Sequence, residues 1–109
     1  MSPLEIIIER REGQTRIALV GELDIASTPS LEEGLTEVEA DTPATVILDL
    51  RRVDFIDSTG LRAVIAADER ARSAGRRFVV VRGPAAVERV FSVTQLDQRL
   101  DIVEDPDSV

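Results

Sequence analysis

The chain contains no cysteine, no histidine and no lysine; all thirteen basic residues among its 109 are arginine. Without cysteine there are no disulfides and no thiolate nucleophile or metal ligand. Without histidine no Ser-His-Asp or Cys-His system can be built, nor an imidazole-bearing zinc site. Without lysine there is neither a Schiff base nor a P-loop phosphate contact. Carboxylates, hydroxyls and guanidinium groups remain, so the expectation is a chain that is not an enzyme and that holds no cofactor and no metal.

The charge balance excludes further classes. A net charge of −8 lacks the clustered basic face that marks a nucleic-acid binder. No apolar run approaches the roughly 20 residues of a membrane span. The opening Met1-Ser2-Pro3-Leu4 has neither a basic n-region nor an apolar h-region. A cytoplasmic location, with no membrane and no direct nucleic-acid partner, is expected. A biased genome accounts for arginine-only basicity more simply than function does, although arginine is also the better bidentate partner for carboxylate or phosphate.

What is present fits one domain over 1–109, because 43% hydrophobic content supplies a single core and no second one. The core is expected over about 4–103, with Glu104–Val109 as an acidic, frayed tail. Leu4–Glu9 and Arg16–Val20 read as strands joined by a turn at Glu12-Gly13-Gln14. Thr28 then reads as a helix N-cap, with Pro29 at the first helical position and Glu32 and Glu33 in the first turn. Leu31, Leu35 and Val38 form its apolar stripe.

Thr45–Leu50 is a nearly continuous apolar run, the pattern of a strand covered on both faces. Arg51–Asp57 reads as a loop, and a second helix starts near Ser58, with Leu61, Val64, Ile65 and Asp68 setting its period and Gly75 near its end. Arg77–Arg82 reads as another buried strand, and Gly83-Pro84 opens a third helix carrying Val87, Val90 and Phe91. Leu100–Val103 closes the pattern as a short strand. The order β-β-α-β-α-β-α-(β) predicts an α/β fold with a mixed, mostly parallel sheet. No internal repeat, linker or low-complexity stretch interrupts it.

Two segments carry candidate function. Ser58, in Val53–Leu61, follows a strand and opens a helix, where sites of open parallel sheets gather. It reads either as an N-cap or as a phosphoryl acceptor, since a phosphate there meets free backbone N–H groups. Asp24, in Gly21-Glu22-Leu23-Asp24, reads either as a loop-capping turn residue or as a contact on the same rim. Asp24, Asp54 and Asp57 together leave open a magnesium site, and the rim leaves open direct nucleotide binding, although no glycine-rich phosphate loop is present.

Read together, GELD (Gly21–Asp24), VILDL (Val46–Leu50), DSTGL (Asp57–Leu61) and the Gly75–Gly83 strand region resemble the STAS family, specifically its anti-sigma factor antagonists. The resemblance runs from about Leu4 to Val103. It implies a STAS fold and a protein that binds an anti-sigma factor serine kinase and so frees the sigma factor. It implies Ser58 as the residue that the kinase phosphorylates to break the complex, with a serine phosphatase restoring it. It implies Asp24, Asp57, Ser58, Thr59 and Gly60 as partner-binding positions, on a monomer that works through heteromeric contacts. A STAS scaffold or a subunit of a lipid-transport complex is the alternative within the family.

Overall fold

The computed structural model describes residues 4–109. The chain runs β1 (Glu5–Arg11), β2 (Gln14–Leu23), α1 (Thr28–Ala40), β3 (Thr45–Ile56), α2 (Ser58–Ser73), β4 (Arg77–Val81), α3 (Ala85–Val93) and β5 (Asp101–Val103). Short 3₁₀ turns lie at Leu96–Gln98 and Pro106–Ser108. The five strands form one sheet in the order β1-β2-β3-β4-β5. Only the hairpin pair β1/β2 is antiparallel. The expected mixed, mostly parallel α/β architecture is therefore present. Among the described residues no helix is long and apolar enough to cross a membrane.

Sequential strand order has a consequence for layering. Each crossover from β2 to β5 steps in the same direction, and crossovers of one hand then place α1, α2 and α3 on the same face. The core agrees. It joins Ile17 and Leu19 of β2, Leu48 and Leu50 of β3 and Phe78 and Val80 of β4 to one stripe from each helix. Those stripes are Leu31, Leu35 and Val38 of α1, Leu61, Val64 and Ala67 of α2, and Val87 and Phe91 of α3.

The alternate strand positions face away from the helices, yet Ile47, Val79 and Val81 are fully buried. The C-terminal segment lies against this second face. Pro106 is buried, and Asp107 Oδ1 accepts a hydrogen bond from Arg16 of β2 at 3.0 Å. The frayed tail expected for Glu104–Val109 is thus a docked segment. Its acidic composition suggested fraying, but those charges meet arginines on a sheet face that no helix covers.

Two further expectations are corrected. Arg51–Ile56 is not a loop, because β3 continues through it and pairs with β2 as far as Leu23↔Ile56. Register shifts between Ala18/Val20 and Gly21/Glu22 each give β3 one extra residue. Each such bulge moves the inward phase by one position, so the buried set runs Leu48, Leu50, Val53, Ile56 at a spacing that no simple alternation detects. Gly21, at φ +116°, supplies the backbone conformation opposite the second bulge. The first helix begins at Thr28 with Ser27 in the cap position, which leaves Glu32 and Glu33 beyond the first turn.

On the face opposite the helices, Asp49 is buried and its carboxylate receives Arg51 through both Nε (3.0 Å) and Nη2 (2.8 Å), and through the Arg51 backbone N–H (3.0 Å). Burial alone raises this carboxyl's pKa, but the Arg51 hydrogen bonds and the charges of Arg51 and Arg16 hold it below its ordinary value of 3.8. A depressed carboxylate contributes stability that is complete above the unfolded value and lost as pH falls through the folded one. Asp49→Asn should therefore lower stability at pH 7 by about 1–3 kcal/mol. It should also flatten the loss of stability below about pH 4, which urea denaturation across pH 2–7 would measure.

Candidate functional site

Leu23 and Ile56 are register partners at the carboxyl ends of β2 and β3. The turns that follow them, Asp24–Ser27 and Asp57–Ser58, are therefore neighbours on one rim. Asp57 ties them together. Its Oδ1 accepts the Gly60 N–H at 2.9 Å, capping α2, and its Oδ2 accepts the Ile25 N–H from the other turn at 3.0 Å. Its own N–H donates to the Leu23 carbonyl at 3.2 Å. One carboxylate thus holds the helix start and the adjacent turn in a fixed relation.

This corrects the capping assignment. Asp57, not Ser58, is the N-cap of α2, because its extended backbone aims the carboxylate at the third helical amide. Ser58 is the first helical residue and is exposed. Among the described residues its hydroxyl makes no hydrogen bond. Thr59 is half-buried beside it.

Gly60 is buried. A Cβ there lies 2.6 Å from the Leu23 carbonyl oxygen, 2.7 Å from Leu23 Cγ and 3.2 Å from Ile56 Cγ1. Glycine is required for α2 to sit against the ends of β2 and β3.

Asp24 is half-buried. Its Oδ1 accepts the N–H groups of Ala26 (3.1 Å) and Ser27 (3.0 Å), and its carbonyl accepts both the N–H (2.8 Å) and the hydroxyl (2.7 Å) of Thr28. The loop-capping reading of Asp24 is therefore realised, while among the described residues its second carboxylate oxygen takes no partner. Ser27 bonds inward, with its hydroxyl donating to the Glu22 carbonyl at 2.8 Å.

The carboxylates Asp24, Asp54 and Asp57 do not assemble a metal centre. Both Asp57 oxygens are held by backbone amides. Among the described residues no group of three or more carboxylates is placed to hold an ion.

The sequence reading missed the apolar and cationic flanks of the serine. Ile25 is 72% exposed and Phe55 49% exposed, so two large apolar side chains stand in solvent, one on the turn after β2 and one near the end of β3. A shallow groove between α1 and α2 is lined by Ile25, Pro29, Glu32, Thr59 and Arg62. The available signal was Ile25 itself, an apolar residue placed in a turn rather than in an element.

A five-stranded, mostly parallel sheet with its helices on one face and a D-S-T-G-L turn on its rim defines a small regulatory-domain class. The STAS domain profile matches residues 5–108, and the chain belongs to that family. It is 31% identical over 95 residues to the anti-sigma-F factor antagonist RsfB of Mycobacterium tuberculosis, covering 87% of this chain and 77% of that one. It is 27% identical over 84 residues to the anti-sigma-B factor antagonist of Staphylococcus aureus, covering 77% and 78% of the two chains. The crystal structure of an anti-sigma factor antagonist from Mycobacterium paratuberculosis superposes with a TM-score of 0.89 at 28% identity, over 96% of this chain and 89% of that one.

Two substitutions test the rim geometry. Asp57→Ala should cost about 1–2 kcal/mol through the lost cap. It should also speed hydrogen exchange at Ile25 and Gly60 together, because one carboxylate protects both amides. Gly60→Ala should cost roughly 1–3 kcal/mol in chemical denaturation, since the contact it creates is with backbone and cannot be relieved by a rotamer change.

Proposed function

We propose that this chain is an anti-sigma factor antagonist, acting as one STAS domain and as a monomer in the cytoplasm. Its unphosphorylated form binds an anti-sigma factor that is a serine kinase, and so releases the sigma factor. The kinase moves the γ-phosphoryl group of ATP to Ser58 Oγ, with ADP as leaving group and the hydroxyl proton taken by the kinase's base. A serine phosphatase hydrolyses the ester and restores binding. The chain itself performs no catalysis; it is the substrate and the ligand.

One observation carries this reading: Ser58 stands at the start of α2 exposed and free of any capping duty, because Asp57 does the capping. A kinase substrate needs an accessible hydroxyl on a surface that docks, while the kinase supplies nucleotide, metal and base. The antagonists among its relatives support the partner class. Asp24, Asp57 and Thr59 frame the serine on the same rim, and exposed Ile25 and Phe55 offer the apolar contact area that a docking face uses.

Phosphorylation adds about −1.5 to −2 charges at pH 7, beside Asp57 and Asp54 and on a chain already at −8. Because no side-chain hydrogen bond depends on the Ser58 hydroxyl, the fold persists while the rim changes in charge and bulk.

Intact-mass spectrometry of the chain incubated with ATP and its candidate anti-sigma kinase tests this. Wild type should gain one phosphate and Ser58→Ala none, with partner affinity retained in the alanine variant and weakened in Ser58→Asp. Stoichiometric phosphorylation of Ser58→Ala would move the acceptor elsewhere, to Thr59 first.

A further inference from the structure

The arginines of this chain are almost all engaged. Arg10, Arg11, Arg16, Arg51, Arg70, Arg72, Arg77, Arg82 and Arg99 hold carboxylates, and Arg76 donates to the Pro43 carbonyl. Among the described residues only the side chains of Arg52, Arg62 and Arg89 make no hydrogen bond or ion pair. Of these, Arg62 alone lies on α2, four residues after Ser58 and exposed.

That spacing places the two side chains on one face of the helix, one turn apart. Helical side chains lean towards the N-terminus, so Arg62 covers the turn that begins at Ser58. The order also matters, because an anion N-terminal to a cation at i, i+4 is the more favourable arrangement. Arg62 and Thr59 line the same groove, with Glu32 on its α1 side, and Arg62 makes no pair with Glu32.

The chain's other charged groups near the rim give a phosphate no partner. Asp24, Asp54, Asp57 and Glu32 all carry like charge. The Gly60 N–H is already taken by Asp57. Arg62 is the cation that remains within reach, and its planar fork suits a phosphate dianion.

We propose that Arg62 receives the phosphate of phosphorylated Ser58 within the same helix turn, latching it against α2; the proposal rests on the reading of Ser58 as phosphoacceptor. In the unphosphorylated chain Arg62 is a free cation beside the docking rim. In the phosphorylated chain that cation is spent on the phosphate, so the rim gains a fixed anion and loses the free Arg62 cation in a single step. The pair leaves the net charge added by the phosphate unchanged and takes the Arg62 guanidinium out of a partner's reach.

The test encodes phosphoserine at position 58 during translation, so that no kinase is needed. Phosphorus-31 NMR then follows the second ionisation of the phosphate in the wild-type background and in Arg62→Gln. The midpoint in Arg62→Gln should lie roughly 0.15–0.4 unit above that of the parent, the size expected of an exposed i, i+4 pair. The difference should shrink in about 1 M salt. Arg89→Gln, removing an unpaired arginine on α3, should leave the midpoint in place. Equal midpoints for Arg62→Gln and the parent would overturn the latch, as would an equal shift from Arg89→Gln. Kinase incubation of the unmodified chain separates the two readings. A midpoint shift without kinase transfer sinks the acceptor assignment alone, and transfer without a shift sinks the latch alone.

Discussion

The Asp57 carboxylate is the contact on which the rim depends. It has two oxygens and uses them on two different chain segments, the Gly60 amide of its own helix and the Ile25 amide of the neighbouring turn. Both amides sit at chain reversals where no strand or helix partner is available, and the amide of buried Gly60 would be costly to leave without a partner. Satisfying both with one side chain couples the position of α2 to the loop after β2. Gly60 completes the coupling from the other side, since only a missing Cβ lets α2 close against Leu23 and Ile56. Ser58 is thereby held at a defined place without being used to hold anything.

On the proposed function, that division of labour lets a modification of Ser58 alter recognition and spare the fold. A serine serving as N-cap contributes about 1 kcal/mol through its hydroxyl, and esterifying it would put that contribution at risk. Here the capping oxygen belongs to Asp57, and the Ser58 oxygen is left for the proposed modification. The two roles sit on adjacent residues and do not compete. A glutamate-for-aspartate change at position 57 would break this arrangement, because the longer side chain cannot keep both amides in reach from the same backbone.

Element order, the parallel pairing and the rim position of Asp24 and Ser58 were legible in the sequence, because apolar runs and helix periods report burial directly. The second half of β3 was not. Its two bulges shift the inward phase at Arg51-Arg52 and again near Asp54, so the buried residues Val53 and Ile56 fall off the alternation that marks a strand. The cap was misplaced by one residue for a related reason: Asp and Ser are both good caps, and only the backbone conformation at Asp57 decides between them. The docked C-terminal segment escaped notice because its partner, Arg16, lies 91 residues away in sequence.

The one-sided placement of the helices gives that segment its purpose. A sheet whose crossovers all step in one direction leaves its second face without a helical layer, and the inward-type residues of β3 and β4 must still be kept from water. Ile47, Val79 and Val81 are buried there, beside the Asp49–Arg51 pair and Arg16. A short segment cannot supply the apolar area of a helix, so charge assists it: Asp107 meets Arg16 at 3.0 Å, and Asp105 and Asp107 both act on Arg51. The exposed pair itself is worth little in water, and its use is directional, fixing where the segment crosses the sheet. The helix side therefore carries the rim with Ser58 and the opposite side carries its own cover, so a change at Ser58 is separated from the contacts that close the second face.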